Sequence, residues 1–414
     1  MTTLMKDSGI DWIGEIPEEW KVKRLKDVLS FPKLSKAKEN SPNYLEIGDV
    51  NINTNDYDIS NKEKLSVDNA KQAKKGMLVI STVRPARGGI TIIKEDCPIS
   101  SAFCVVNIKG NKYWYYLIKN KLFLNQLSNL NTGVTYPTCK DKDIYNQSSC
   151  VPPLETQKKI ADYLDVEVSL LDKQVSLLER KYALLGDYKD ALIFETVTQG
   201  LDKAVPMKDS GIDWIGEIPE GWKVKRVKEV TKWKTGFTPS TKIQEYYNGD
   251  DEWATISDLD KDLKYIENTK NKINGKYFEG RNKIPKNSLL FSFKLSVGQV
   301  AFNKKEMYTN EAICSFLRSS SINLNYFYYA APVFIIKNAN KNIYGANILN
   351  QELISNALTL VPPLETQKKI AEYLDVEVEK LDKQRELIKR KVELLKEYKE
   401  ALIFEVVTGK KEVK

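Results

Sequence analysis

The stretch VPPLETQKKIA at Val151–Ala161 returns letter for letter at Val361–Ala371. Each copy leads into a similar tract, so that Val151–Thr198 and Val361–Thr408 agree at 35 of 48 positions. Two prolines followed by an acidic residue mark a helix start. Proline suits the positions around the first turn, and Glu155 (Glu365) there meets the positive end of the helix dipole. Downstream, Leu164, Val168, Leu171, Val175, Leu178, Tyr182, Leu185 and Leu192 recur in alternating steps of four and three, with Lys189 in the one remaining seam position. The second copy gives Leu374, Val378, Leu381, Arg385, Ile388, Val392, Leu395, Lys399 and Leu402. That spacing predicts a coiled-coil seam. A helix from Glu155 to Glu195 would run roughly 60 Å at about 1.5 Å per residue, longer than the roughly 8–20 residues usual for a globular helix. Pairing of the two helices with each other is therefore expected over each lying on its own half. Arg385, Lys189 and Lys399 interrupt the seam, and such positions either fix register or mark a frayed end.

A second repeat precedes the first. Met5–Val28 returns as Met207–Val230, with 21 of 24 positions identical. Between the repeats lie two segments of little shared identity, Leu29–Cys150 and Thr231–Leu360. Two homologous halves follow, with boundaries expected at 1–150, 151–200, 201–360 and 361–414. If the halves are related by a local twofold, their helices run antiparallel and their domains lie at opposite ends. Short β-branched runs bounded by Gly, GMLVIST (76–82) and GGITIIKED (88–96), predict strands, as do NSLLFSF (287–293) and VGQVAF (297–302). YWYYLIKNKLFLNQL (113–127) and LNYFYYAAPVFIIKN (324–338) read as apolar helices. The two variable segments thus share a scaffold and differ in surface. The fold class is α+β: two α/β-type domains separated by two long repeated helices that form an antiparallel coiled coil, pseudo-twofold symmetric.

Composition narrows the chemistry. The chain has 414 residues, 42% of them hydrophobic, and a net charge of +8, a mild excess that suits a polyanion-binding surface. Five cysteines without a CxxC pair point to free thiols in a reducing cytosol, and the expected location is cytoplasmic. No run approaches the ~18 apolar residues of a membrane span. With no histidine, Ser-His-Asp and Cys-His catalysis and His-bearing metal sites are excluded. Carboxylate chemistry, as in a nuclease, and a scaffold whose end domains bind proteins remain as readings of other classes.

The order of repeat, variable segment and helix, given twice, resembles the specificity subunit of type I restriction-modification systems. DSGIDWIGEIPEEW (7–20), both VPPLETQKKIA helices, KTGFTPSTKIQEYYNGDDEWATISDLD (234–260) and NYLEIGDVNI (43–52) carry the likeness. The resemblance implies two target-recognition domains, each reading one half of an asymmetric bipartite target in double-stranded DNA. The helices would set the spacer and dock two methyltransferase subunits, with restriction subunits joining the complex. It implies a subunit that catalyses nothing, with no cofactor of its own: S-adenosylmethionine, ATP and Mg2+ are expected on the partners. The sequence has neither an [N/D]PP[Y/F] motif nor a Walker A loop.

Given that implication, DNA contacts are sought in Gly/Pro loops carrying Arg, Lys, Asn or Gln. In the first variable segment STVRPARGGITIIK offers Arg84 and Arg87, and NTGVTYPTCKDKD adds Tyr136 and Lys140. In the second, KWKTGFTPSTK offers Lys234, Thr238, Ser240 and Lys242, FKLSVGQV offers Lys294 and Gln299, and KNANKNIYGAN offers Asn340, Lys341, Asn342 and Tyr344. The carboxylates of GDDE (249–252) are read as a turn before a strand rather than a metal site.

Overall fold

A computed structural model describes residues 4–37, 43–52, 54–59, 70–130, 137–259, 263–281, 283–341, 345 and 347–413. The chain divides into two compact units. One comprises Met1–Arg180 with Ile388–Lys414, the other Lys181–Leu387.

In the first unit the opening repeat forms a hairpin, Met5–Asp7 with Glu15–Pro17, and a strand, Lys21–Arg24, antiparallel to Ser148–Val151. At the centre Leu78–Ser81 pairs with both Phe103–Val106 and Ile90–Ile92. All four residues of Leu78–Ser81 are buried, which explains the uninterrupted apolar run in the sequence. Leu78 and Ile80 point into one core, with Cys104 and Val106, while Val79 points into a second, with Phe103 and Val105. This is the two-residue period of a strand covered on both faces.

The second unit repeats this frame. Met207–Asp209 pairs with Glu217–Pro219, and Lys223–Arg226 with Leu358–Val361. Leu289–Ser292 is flanked by Ile313–Phe316 and Val300–Asn303. Here the sheet grows to five strands by addition of Trp233–Thr235 and Tyr265–Ile266 at its edges. The two variable segments thus share a central three-stranded sheet and differ at its margins.

One expected helix is two. The first unit has Tyr113–Lys119 and Lys121–Asn129, divided at Asn120, whose side chain accepts from the Leu122 amide at 2.9 Å and caps the second helix. In the second unit Leu324–Lys337 runs unbroken, with Pro332 inside it.

The long helices span Leu154–Gln199 and Leu364–Val407. Gln157 and Gln367 fasten their starts: each side chain donates to the carbonyl of the first proline of its PP pair, Pro152 at 2.7 Å and Pro362 at 2.8 Å. Glycines in left-handed conformation follow their ends, Gly200 at φ +76° and Gly409 at φ +75°, as a helix C-terminus favours. In the first unit Lys399 binds Asp172 at 2.7 Å and Lys396 binds Glu179 at 2.8 Å. One sequence number rises as the other falls, so the segments run antiparallel. Ile160, Leu164, Val168 and Leu171 share a core with Leu402, Ile403 and Val406. In the second unit Lys189 binds Asp382 at 2.8 Å and Arg385 lies over the Tyr182 ring at 4.3 Å, again antiparallel. Leu374, Val378 and Leu192 belong to that unit's core. Leu381, Ile388 and Val392 are buried, and Leu178, Leu185 and Leu395 half-buried. The seam lysines each meet an aspartate, and Arg385 is stacked rather than frayed.

Candidate nucleic-acid interface

In the first unit the loop after Leu78–Ser81 carries Arg84 and Arg87. Ser81 Oγ donates to the Val83 carbonyl at 2.7 Å, turning the chain so that Arg84 takes a left-handed backbone, φ +50° and ψ +55°. Pro85–Arg87 then forms a tight turn closed by Gly88 at φ +85°. Two neighbours hold the loop. The Arg84 amide donates to the Pro137 carbonyl at 2.7 Å and the Cys139 amide to that of Thr82 at 2.9 Å, while the Ala86 amide donates to Ser128 Oγ at 3.1 Å. The first pairing brings Lys140, exposed at the start of the helix Asp141–Tyr145, to the edge that bears Arg84 and Arg87. Arg87 is exposed and Arg84 half-buried. Tyr136 lies outside the described residues.

In the second unit the loop of Lys234, Thr238, Ser240 and Lys242 is fixed from behind. Gly236 crosses so close to the Thr309 carbonyl that a Cβ there would lie 1.7 Å from its oxygen, so only glycine fits. The Phe237 amide donates to Thr309 O at 2.9 Å, and Phe237 packs on Phe278 and Tyr308. Trp253 Nε1 donates to Phe237 O at 3.1 Å and Tyr247 to Pro239 O at 2.8 Å. Thr238, Ser240 and Lys242 are exposed; Lys234 is half-buried in the strand Trp233–Thr235.

The loop after Leu289–Ser292 bears Lys294, exposed, and Gln299, half-buried, whose amide donates to Ser292 Oγ at 3.0 Å. Glu311 joins it to the previous loop. Its carboxylate accepts from Thr238 Oγ1, and that bond, with the Lys294 charge, holds it below the usual carboxylate range. Sequence reading missed Glu311, and it occupies the Thr238 hydroxyl otherwise expected for phosphate. Asn340 and Lys341 are exposed on a two-stranded hairpin with Asn347–Ile348. That hairpin follows the helix whose Ile336 packs on Gly298 of the Lys294 loop. Asn342 and Tyr344 lie outside the described residues. Three loops thus adjoin at one margin of this unit's sheet.

Two of the three GDDE carboxylates are engaged. Asp251 accepts from Lys283 at 2.9 Å, and Glu252 from the Thr269 amide and hydroxyl at 2.7 Å each. Among the described residues no group of three or more acidic, Cys or His side chains is placed to hold a metal ion, and no helix is long and apolar enough to cross a membrane.

Comparison with known proteins places this architecture. The family model for the type I restriction modification DNA specificity domain matches twice, at residues 17–183 and 219–397, and the chain belongs to that family. It is 31% identical over 186 residues to the type I restriction enzyme MjaIX specificity subunit of Methanocaldococcus jannaschii, covering 42% of this chain and 43% of that one. It is 22% identical over 355 residues to the HindI specificity subunit of Haemophilus influenzae, covering 69% and 76%. The chain spans under half the length of the first relative and about three-quarters of the second. Among solved structures, the HsdS subunit from Thermoanaerobacter tengcongensis superposes with a TM-score of 0.55 at 19% identity, over 95% of this chain and 98% of that one. A chain described under "Structural basis underlying complex assembly and conformational transition of the type I R-M system" superposes at 0.77 and 18% identity, over 95% and 99%.

Proposed function

We propose that each unit reads one part of an asymmetric two-part target in double-stranded DNA, and that the chain itself performs no catalysis. One observation supports this above the rest: the two units share the opening hairpin, the strand pair before each long helix and a central three-stranded sheet, while the loops that leave those strands carry different side chains. Arg84, Arg87 and Lys140 offer cations and guanine-directed forks in the first unit. Lys294, Gln299, Asn340 and Lys341 offer cations and amides in the second. Unlike loops on like frames fit a target whose parts differ in sequence.

The long helices would set the unread spacing and dock two methyltransferase subunits. Outside the seam they carry exposed apolar side chains at heptad spacing. In the first unit these are Val166, Leu170, Leu177, Leu394 and Tyr398; in the second, Leu184, Tyr188, Tyr373, Val376 and Leu387. Exposed large apolar groups repeating along a helix fit partner helices. S-adenosylmethionine, ATP and Mg2+ would reside on the methyltransferase and restriction partners, in the cytoplasm.

The test maps methylated positions in a genome carrying the system, then repeats the mapping after exchanging residues 29–150 for the corresponding segment of another family member. Change in one part of the target with the other intact is expected. A target unchanged by the exchange, or DNA binding insensitive to salt, would overturn the reading.

A further inference from the structure

The two loops that follow the central strands match more closely than their sequences suggest. Arg84 stands three residues after Ser81, and Leu295 three residues after Ser292. Each serine ends its strand and turns its hydroxyl onto a carbonyl of its own loop, Val83 or Ser296. Each tip residue then has a left-handed backbone, φ +50° at Arg84 and +58° at Leu295. For a residue with a Cβ this conformation costs about 1–2 kcal/mol, and Leu lacks the short polar side chain by which Asn or Asp offsets the cost.

Leu295 is also 91% exposed, the most exposed of the large hydrophobic side chains among the described residues. Its loop is nevertheless firmly built. The Gly298 amide donates to Ser292 O at 2.8 Å, the Val297 amide to Leu295 O at 2.9 Å, and the Gln299 amide to Ser292 Oγ at 3.0 Å. Gly298 fits so tightly against Ile336 that a Cβ there would lie 2.3 Å from its Cδ1. Stability alone would favour Gly or Asn at this tip. An apolar side chain held in solvent by a supported, unfavourable backbone is the arrangement of a contact residue.

Its surroundings are polar: Lys294 precedes it, the Lys294 charge acts on Glu311, and Glu311 accepts from Thr238. In the major groove of a duplex, the apolar feature available to a probing side chain is the 5-methyl group of thymine. We propose that Leu295 is a specificity-determining residue of the second unit, packing on a thymine methyl from the tip position that Arg84 holds in the first. This deepens the DNA-reading assignment and rests on it.

The full chain, purified with its methyltransferase subunits, is offered a library of randomised duplexes, and the bound fraction is sequenced for the wild type, Leu295→Gly and Leu295→Ala. Each thymine of the selected second-unit site is then replaced in turn by deoxyuridine, which removes only the methyl. One such replacement is expected to weaken wild-type binding about fourfold, as for one buried methyl group. Leu295→Gly should lose preference at that position, ignore the same replacement, keep the first-unit preference and melt at the same temperature or higher. Indifference of the wild type to every uracil overturns the proposal, including the case in which Leu295→Ala still weakens binding, because insertion between base steps would behave that way. So does an unaltered preference in Leu295→Gly, or a lowered melting temperature with both parts of the target affected. A wild type that selects no sequence at all sinks the DNA-reading assignment instead.

Discussion

Tyr113 and Tyr326 hold matched places in the two units and do the same work. Each ring is fully buried. The Tyr113 hydroxyl lies 2.9 Å from Cys150 O and 3.1 Å from Val407 O, and that of Tyr326 lies 3.1 Å from Leu360 O and 3.5 Å from Val197 O. Each thereby ties a helix of its domain to the strand before one long helix and to the end of the other. Tyr116 and Tyr329 continue the likeness by donating to Asp165 and Asp375, at 2.7 and 2.6 Å. Arg84 and Leu295 match as well in backbone and share no chemistry. Where a side chain closes the frame its identity is fixed, because a lost partner would strand a buried carbonyl; at the two loop tips the backbone shape is shared and the side chain differs.

The sharpest way to break this comparison is to remove the two tyrosines. Tyr113→Ala and Tyr326→Ala should each destabilise the full chain by about 3–5 kcal/mol, and the Phe variants by about 1–2 kcal/mol. Urea unfolding checks this, and tolerance of one alanine but not the other would mean the frames are not equivalent. Next come the tips. Arg84→Ala should weaken binding by about 1–3 kcal/mol if its fork meets a guanine, and relax only the first-unit part of the target; equal losses in both parts would remove its assignment.

A smaller effect separates the ends of the helix pair. In the second unit Gly186 faces Arg385, whose guanidinium would be in contact with a Cβ there at 3.5 Å and whose buried Nε finds no acceptor among the described residues. The repeat places Val175 and Lys396 at the corresponding positions of the first unit, where Lys396 pairs with Glu179. Gly186→Lys should therefore cost about 1–2 kcal/mol by crowding and like charge, and Arg385→Val added to it should restore stability. Failure of that rescue in urea melts would show that Arg385 is not what the glycine accommodates.

The smallest effect is a pH slope. Lys119, desolvated in its domain and faced by the Lys399 charge, has its pKa lowered to about 8, and it lies near the Tyr115 and Tyr116 rings at 5.0 and 5.7 Å. Between pH 8 and the ordinary lysine value the unfolded chain holds a proton that the folded one has released, so stability rises with pH across that window. Lys119→Met should lose this gain, about 1 kcal/mol between pH 8 and 9. Identical slopes for wild type and variant would refute the assignment.

Much of the frame was legible because repetition and period survive in a bare sequence. The VPPLETQKKIA copies and the heptads of Leu164 or Leu374 announce helices whatever surrounds them. The strand pairs were legible because residues such as Leu78–Ser81 and Leu289–Ser292 are buried on both faces. The break at Asn120 was not, since the apolar run continues through it and only the side chain's bond to the Leu122 amide reveals the turn. At the candidate interface RPARGG advertised a loop through its Pro and Gly. Gly298 likewise marked the loop after Leu289–Ser292, but its left-handed tip at Leu295 went unmarked, because leucine does not suggest such a backbone. Glu311 was hidden because its partners, Thr238 and Lys294, are distant in sequence and meet only through tertiary packing.

All five thiols are sheltered: Cys97, Cys104, Cys139, Cys150 and Cys314 are buried, and burial raises Cys97, Cys139 and Cys150 to about 11 and the other two further. At neutral pH none offers a thiolate to a maleimide or an iodoacetamide dye. A single cysteine introduced at an exposed helix position such as Leu177 or Leu387 would then be the chain's one reactive handle. Fluorescent or spin labels can be attached there without first stripping the native cysteines.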